Sequence, residues 1–364
     1  MTQEEPASTP SPTPSRGRRE RPAGMAAVAQ LAGVSHQTVS RVLNNHVSVR
    51  PATRERVLAA MAELDYRPNR LARALVTSRS GLIGVVTSGS AKYGPTSTLM
   101  AVEEAARGAG YAANVTAVHD VDPDVLATRM AQTLLAFDSQ AVEGVIVIAP
   151  RVSTVLALET ISSRAPLLII AAGVAPSERF GVVAVDQAQG ARAATAHLVG
   201  KGHTRIGHIA GPADWFDSRE RYRGWLEELE ASGLQPGPVW EGDWSAEFGY
   251  RTGLSLVADA DRPTAIMVSN DQMALGLLRA FGEGGVAVPG EVSVTGFDDI
   301  EGTAHFQPPL TTVRQDFAAL GEAAMARMLR MIEERGTAGE GGAPIPTELV
   351  ERNSTGVEMT RQSD

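Results

Sequence analysis

The 364-residue chain contains no cysteine, so it has neither a disulfide framework nor thiolate chemistry, a composition that suits a reducing cytoplasm. No run approaches twenty apolar residues, and no short apolar segment of the secretory kind stands near the start. Neither membrane spanning nor secretion is expected. Histidines number only seven and are scattered. No P-loop, no G-x-S-x-G and no cluster with metal-ligand spacing accompanies them. Nothing pairs a nucleophile with a base, so neither an enzyme nor a cofactor is expected. Lysine is missing from residues 1–80, which carry 12 Arg against 6 acidic residues, a net +6; the remainder has 21 bases and 36 acids, a net −15. A basic front on an acidic body is what a DNA-binding module fused to a non-DNA domain needs, because phosphate neutralisation supplies most non-specific affinity. Part of that charge lies in residues 1–24, rich in Pro, Ser, Thr and Arg, which read as a disordered tail. What the chain does have is apolar content, 43%, ample for two or three compact units.

Residues 26–45 read A-A-V-A-Q-L-A-G-V-S-H-Q-T-V-S-R-V-L-N-N. Val28 and Leu31 recur at helical spacing, and Gly33 permits a sharp turn. Ser35 is a natural N-cap, its hydroxyl able to accept an orphan backbone N–H. In the helix that follows, Val39, Val42 and Leu43 form an apolar face while His36, Gln37, Ser40 and Arg41 point outward. This pattern describes a helix-turn-helix whose second helix enters the DNA major groove. An ordinary helical hairpin on a core has the same outline, but few put Gln and Arg together at a capped N-terminus. Pro51 suits the first position of a third helix, in which Val57, Leu58, Met61 and Leu64 make the stripe that closes a three-helix core. Gln37 can pair bidentately with adenine and Arg41 with guanine, each supplying roughly 1–3 kcal/mol of discrimination. His36 reads a base, touches a thymine methyl, or meets only a phosphate.

The runs G-V-S-H-Q-T-V-S-R-V-L-N and T-R-E-R-V-L-A-A-M-A-E-L-D-Y-R-P-N-R-L-A-R-A-L resemble the DNA-binding domain of the lactose-repressor (LacI/GalR) family, and further similar runs extend to about residue 353. Gly24 and Ala27 depart from the Thr and Asp the family often places at its first helix, which weakens that cap. By the resemblance, His36, Gln37 and Arg41 occupy operator-reading positions. The segment 69–76, N-R-L-A-R-A-L-V, follows Pro68 and is too short to be a stable helix alone, since isolated helices under ~12–15 residues are marginal in water. The resemblance makes it a hinge helix that pairs with its dimer mate in the minor groove. Leu75 is then the wedge that kinks the duplex, and Asn69, which begins the segment, is with Ser40 a further DNA-binding candidate. A flexible linker is the bland alternative.

From residue 81 the pattern changes. Strand-length apolar runs at 82–87, 111–116, 144–149, 167–172 and 182–185 alternate with helical stretches such as 97–108 and 122–137. A second set at 206–210, 265–269 and 292–297 is separated by helices at 219–232 and 271–282. Such alternation predicts parallel sheets with helices on both faces, and two sets predict two α/β subdomains with a ligand cleft between them. The expected fold class is thus a small all-α helix-turn-helix head and a two-lobed α/β body of two doubly wound parallel sheets; the resemblance makes that body periplasmic-binding-protein-like, the chain crossing between lobes more than once. The expected domains are 25–68 for the head, 69–80 for hinge and linker, 81–353 for the body, and 354–364 for a flexible tail. The first lobe takes about 81–185 plus 317–344, and the second about 186–313 plus 345–353.

Sugar recognition favours carboxylates and amides bidentate to hydroxyls, an Arg donor and an aromatic plate. The loops after these strands offer Asp298 in G-F-D-D, Asn270 in S-N-D-Q-M-A-L-G, Arg221 in S-R-E-R-Y-R-G-W, Trp244 in E-G-D-W-S-A, and Gln315 and Phe317 in P-P-L-T-T-V-R-Q-D-F. Singly each is ambiguous: an acid at a strand end is often an N-cap, a Trp is usually core, and Gln315 could sit in a crossover strand. Asp298 and Asp299 could suggest paired glycosidase acids, but chain neighbours more often point apart. These runs are similar, nearly residue for residue, to those of the family's type member. By that similarity Arg221, Asn270 and Asp298 hold sugar hydroxyls, Trp244 stacks, Gln315 and Phe317 line the cleft, and Ser88 and Pro95 face it from the first lobe. Departures occur at Lys92, Tyr93 and Ala171, and Trp215 and Asp217 are new neighbours of Arg221. The expectation is a repressor that binds operator double-stranded DNA as a homodimer and is released by a small sugar, first a galactoside or other β-glycoside. Helix 97–108 and the segment 273–281 are the candidate dimer contacts. No leucine heptad follows Arg352, so the family's tetramerising helix is not expected.

Overall fold

The computed structural model describes residues 24–43, 48–66, 79–119, 122–334 and 341–358. The chain divides into two compact units, Met1–Arg79 and Ser80–Asp364. Residues 1–23 of the expected tail 1–24 and the hinge segment 69–76, with Asn69 and Leu75, lie outside the described residues.

The first unit holds α1 (Met25–Ala32), α2 (His36–Leu43) and α3 (Pro51–Glu63). Gly24 offers α1 no side-chain cap, whereas Gly33 closes it in the left-handed region at φ 63°, donating to Ala29 and Gln30, a conformation glycine adopts without steric penalty. Ser35 caps α2, its Oγ accepting the Thr38 amide at 3.1 Å. Pro51 opens α3. Val28, Val39 and Val57, all fully buried, centre the core, with Ala29, Ala32, Val42 and Ala60 around them. Leu58 does not join them: it is 51% exposed, because the buried stripe that starts at Val57 continues through Ala60, Met61 and Leu64, and Leu58 is rotated about 100° off it. Leu31 is exposed for the same reason, the inner face of α1 being Val28, Ala29 and Ala32.

In the second unit, one lobe is built on a parallel sheet ordered β2-β1-β3-β4-β5. Its strands are β1 (Leu82–Thr87), β2 (Ala112–Ala117), β3 (Gly144–Ile148), β4 (Leu167–Ile170) and β5 (Phe180–Val183). The period of two sorts their side chains cleanly. Val145, Val147, Leu167 and Ile169 face α5 (Pro123–Ser139) and α6 (Val152–Glu159), which contribute Met130, Phe137 and Leu158. Ile146, Ile148, Leu168 and Ile170 face α4 (Tyr93–Gly108) and the later α11 (Phe317–Glu333). Both faces are covered, so the strands read as unbroken apolar runs.

The other lobe follows the same plan. Between α7 (Gln187–Gly200) and α10 (Asp271–Glu283) come β6 (Ile206–Ala210), α8 (Phe216–Ala231), β7 (Val239–Glu241), α9 (Ala246–Ala258) and β8 (Ala265–Val268), with β9 (Ser293–Thr295) after α10. The parallel sheet runs β7-β6-β8-β9. Ile206, Ala265 and Met267 pack with α7 and α8, while Ile209, Ile266 and Val268 pack with α9 and α10. The chain passes from first lobe to second beyond β5, returns through β10 (Thr312–Gln315) into α11, and comes back at β11 (Thr347–Val350), which pairs antiparallel with β10.

Residues 354–358 correct the expected flexible tail. Ser354 is fully buried; its Oγ donates to the Val294 carbonyl at 2.6 Å and accepts the Thr311 amide at 2.8 Å. The Val294 amide donates to the Ser354 carbonyl, and the Glu358 amide to that of Lys201. The polar residues of this stretch are there to satisfy backbone groups at the edge of β9, not to face water.

Candidate functional site

The carboxyl ends of β6, β7, β8 and β9 lead to Trp215, Trp244, Asn270 and Asp298, and the α8 turn beyond Trp215 carries Asp217 and Arg221. With residues 91–95 at the start of α4, these side chains line a cavity of about 200 Å³ between the lobes. Pocket volumes of roughly 300–1,000 Å³ hold drug-sized ligands, so this one suits a single small ring. Two contacts tie its walls together: Lys92 Nζ donates to the Asp243 carbonyl at 3.0 Å, and the segments at Pro150–Val152 and Asp214–Phe216 exchange two backbone hydrogen bonds.

Arg221, 3% exposed, organises the floor. Its Nε donates to Gln187 Oε1 at 2.9 Å and Nη2 to Asp298 Oδ1 at 3.2 Å, while Nη1 donates to the Ser269 carbonyl. Gln315 Nε2 donates to the same Asp298 oxygen at 2.7 Å, and Gln187 Nε2 donates to Gln315 Oε1 at 2.8 Å, closing a ring of four side chains. Phe297 backs the guanidinium 3.8 Å from its ring centre, and Trp244 lies 5.6 Å away. A desolvated ion pair is stable only when the remaining donors and acceptors are satisfied, and here that condition is met for the guanidinium. Asp298 Oδ2, by contrast, accepts nothing from the described residues and is left for the cavity.

Burial pushes the Asp298 carboxyl up to about 6; Arg221 opposes the shift and Asp217 adds to it. Burial also raises Asp217, against the pull of Arg221. Asp271 is fully buried behind them and raised well above the carboxylate range by burial and then by Asp298. Its oxygens accept the Thr312 hydroxyl at 2.6 Å and the Ile300 amide at 2.9 Å, which anchors the loop that presents Asp298. That loop is strained: Asp298 has φ 108° and Asp299 φ 50°, conformations that L residues hold only when their surroundings fix them. Asp299 turns away from the cavity to Arg314 at 2.7 Å and Arg352 at 2.8 Å. Burial alone would raise its carboxyl, but those two arginines and Thr303 bring it below the usual range. The neighbouring acids therefore do not form a catalytic pair.

Of the residues expected from the sequence, Pro95, Trp215, Arg221, Trp244, Asn270 and Asp298 line this cavity. Gln315 lines a narrow extension of about 40 Å³ with Pro95, Asp217 and the apolar Ala171 and Ala172. Asn270 is committed elsewhere: its Oδ1 accepts the Met273 amide as the α10 N-cap and its Nδ2 donates to the Trp244 carbonyl. Trp244 and Trp215 meet edge-on with ring centres 5.5 Å apart, and neither indole N–H has a partner. Two residues fall elsewhere. Ser88, directly after β1, lines a separate first-lobe cavity, and Phe317 meets Tyr93 edge-on at 5.8 Å, lining none of these cavities. Gln187 and Phe297 were missed. Gln187 carried a signal, a polar side chain directly after Asp186, the N-cap of α7; Phe297 read as core.

On the first unit His36, Gln37 and Arg41 are exposed on α2 and Ser40 is half-buried beside them. A short capped helix thus presents an amide, an imidazole and a guanidinium on one surface. Residues 25–69 match the family described as bacterial regulatory proteins, lacI family, and residues 195–355 match a periplasmic binding protein-like domain. Over 329 residues the chain is 38% identical to the lactose operon repressor of Escherichia coli (strain K12), an alignment covering 90% of this chain and 89% of that one. The chain belongs to the lacI family. It is a DNA-binding transcriptional repressor of that family, whose relatives are repressors and not enzymes. The HTH-type transcriptional repressor PurR of Haemophilus influenzae is 33% identical over 332 residues, 90% of this chain and 97% of its own. Among solved structures, a lac repressor dimer bound to operator and the anti-inducer ONPF superposes with TM-score 0.75 at 35% identity, covering 92% of this chain and all of that one. A complex of the regulator CelR with cellobiose gives 0.66 at 29%, covering 91% and 99%. Among the described residues no helix is long and apolar enough to cross a membrane.

Proposed function

We propose that this lacI-family repressor acts as a homodimer on a pseudo-palindromic operator and is released by a small sugar, first a galactoside or another β-glycoside, bound between its lobes. The observation that carries the ligand class is the Arg221–Gln187–Gln315–Asp298 ring beside Trp215 and Trp244. It presents an Asp298 carboxylate oxygen and the Arg221 guanidinium, beside two indoles, at a one-ring cavity. Hydroxyl pairs need that mix of acceptor and donor, and the indoles supply apolar surface for C–H faces. His36, Gln37, Ser40 and Arg41 read the major groove. Met100 on α4 and Leu275 on α10 are exposed apolar residues on the two helices expected to meet the second protomer.

The mechanism follows from linkage. DNA favours the lobe arrangement that lets two copies of segment 69–76, each too short to be helical alone, fold together with Leu75 in the minor groove. A ligand with higher affinity for another arrangement draws the population away and melts the hinge. A thermal-shift panel of mono- and disaccharides, with purine bases included, followed by an operator gel shift with the best ligand, tests the reading. A sugar that raises the midpoint and releases DNA supports it; a purine that does so while no sugar does overturns the ligand class. Leu75→Ala should weaken operator binding at unchanged sugar affinity, and unchanged operator binding removes the wedge role.

A further inference from the structure

Each lobe has its own crevice. Open parallel sheets bind ligands outside the carboxyl ends of their strands, where the strand order reverses. That reversal lies between β6 and β8 in the second lobe and between β1 and β3 in the first. The second-lobe crevice is the 200 Å³ cavity already described. The first-lobe crevice measures about 490 Å³ and is walled by Ser88 and Ser90 after β1, His119 after β2, and Arg151, Ser153 and Thr154 after β3. Trp215 lines both, so the two adjoin at its ring.

The two crevices differ in chemistry. No carboxylate and no carboxamide lines the first-lobe crevice; its polar groups are hydroxyls, guanidinium groups and an imidazole. The N-terminus of α6 lies there without a side-chain cap, its N-cap residue being Arg151; the Val152 and Thr154 amides donate to the Asp214 and Arg151 carbonyls, and the positive end of the helix dipole faces the same space. Thr154 is 8% exposed and its hydroxyl bonds to none of the described residues. Ser88 Oγ and Trp215 Nε1 are also buried without partners. Arg151 pairs with Asp214 at 3.4 Å, both side chains about half exposed, and its guanidinium lies 5.7 Å from the Trp215 ring centre; the screened ion pair is one that an incoming anion can share. Arg129 donates to the His119 carbonyl at the rim. A neutral sugar ring asks for acceptors as well as donors. This lining has hydroxyls that can do both, but its only permanent charges are the guanidinium groups of Arg129 and Arg151.

We infer that the effector is an anionic sugar derivative, with its ring in the second-lobe cavity and its phosphate or carboxylate in the first-lobe crevice against Arg151, Ser153, Thr154 and the first turn of α6. The inference rests on the proposed sugar cleft and names its ligand more closely. An effector that grips Arg221 in one lobe and Arg151 in the other bridges both, which gives it a direct hold on their arrangement. The test is isothermal titration of the full chain with matched neutral, 6-phosphate and uronate forms of galactose and glucose. At least one anionic form should bind tenfold or more tighter than its neutral parent, and whether phosphate or uronate leads identifies the anion. Arg151→Gln and Thr154→Val should each erase most of that preference while leaving the neutral parent within about twofold. Equal affinity across a matched set, or a preference that survives both substitutions, overturns the inference. If neutral glycosides bind and release operator with no anionic preference, the sugar reading stands and only this inference falls; if no carbohydrate of either kind binds, both fall.

Discussion

The two sheets of the body share one plan and end in opposite chemistry. At the carboxyl ends of β6 to β9, Arg221 and Asp298 are locked with Gln187 of α7 and Gln315 of β10 in a closed hydrogen-bonded ring; the crevice at the ends of β1 to β3 is lined by hydroxyls, arginines and an imidazole, with no acid among its lining residues. Repeating an architecture fixes where a crevice lies and says nothing about what it binds, because loop residues answer to the ligand and not to the core. The second crevice is rigid by construction, with Asp271 beneath Asp298 and Phe297 beneath Arg221. The first is held by one exposed ion pair and a few backbone bonds.

That contrast can be tested from the strongest effect downward. Arg221→Ala should remove the sugar response altogether while operator binding persists in protein that folds. It leaves Asp298 buried and unpaired, so thermal denaturation should register a loss of about 3–5 kcal/mol. A variant that still responds to sugar breaks the assignment of the second crevice. Ser354→Ala strips partners from the Thr311 amide and the Val294 carbonyl beside β9 and should cost about 1–3 kcal/mol, measured by denaturant unfolding; a neutral result would return 354–358 to the status of a tail.

The pH dependence sharpens the comparison further. Asp298 has its folded pKa raised to about 6 from an ordinary value near 3.8. Between those values the folded protein holds more protons than the unfolded chain, so this group favours the fold increasingly as pH falls through 6 toward 4. Its acceptor role runs the other way. Sugar affinity should be flat above pH 7 and fall up to roughly tenfold per unit below 6, read by titration at successive pH values, and a flat profile would mean that Oδ2 does not meet the ligand. The smallest effect belongs to the first crevice. Asp214→Asn should change stability by only about 0–1 kcal/mol, as exposed pairs do, in the same denaturation assay.

Much of the fold was legible because both sheets are covered on two faces, so period and composition marked the strands from β1 onward. Reading the sequence placed strand β2 one residue early and overlooked β7 and β11, short half-exposed strands with no apolar run to announce them. Leu58 and Leu31 show the limit of composition in a small helical head: an apolar residue at plausible spacing is still outside if its rotation is wrong. In the cleft, Arg221, Trp244 and Asp298 were found from their strand-end positions and from family resemblance. Asn270 was found for the right place, yet its side chain serves the α10 cap. Ser88 and Phe317 were assigned to the same cavity and lie in other surroundings.

The amino-acid order by itself determined the capped reading helix, the alternation that builds two parallel sheets and the family to which the chain belongs, since each of these is written in local spacing. Tertiary structure alone decided that Gln187, 34 residues before Arg221, and Gln315, far beyond it, close a ring on Asp298, and that Trp215 lines two crevices of unlike chemistry. Those relations depend on how three chain crossings bring distant strand ends together, and no periodicity in the sequence encodes which side chains then come within 3 Å of one another.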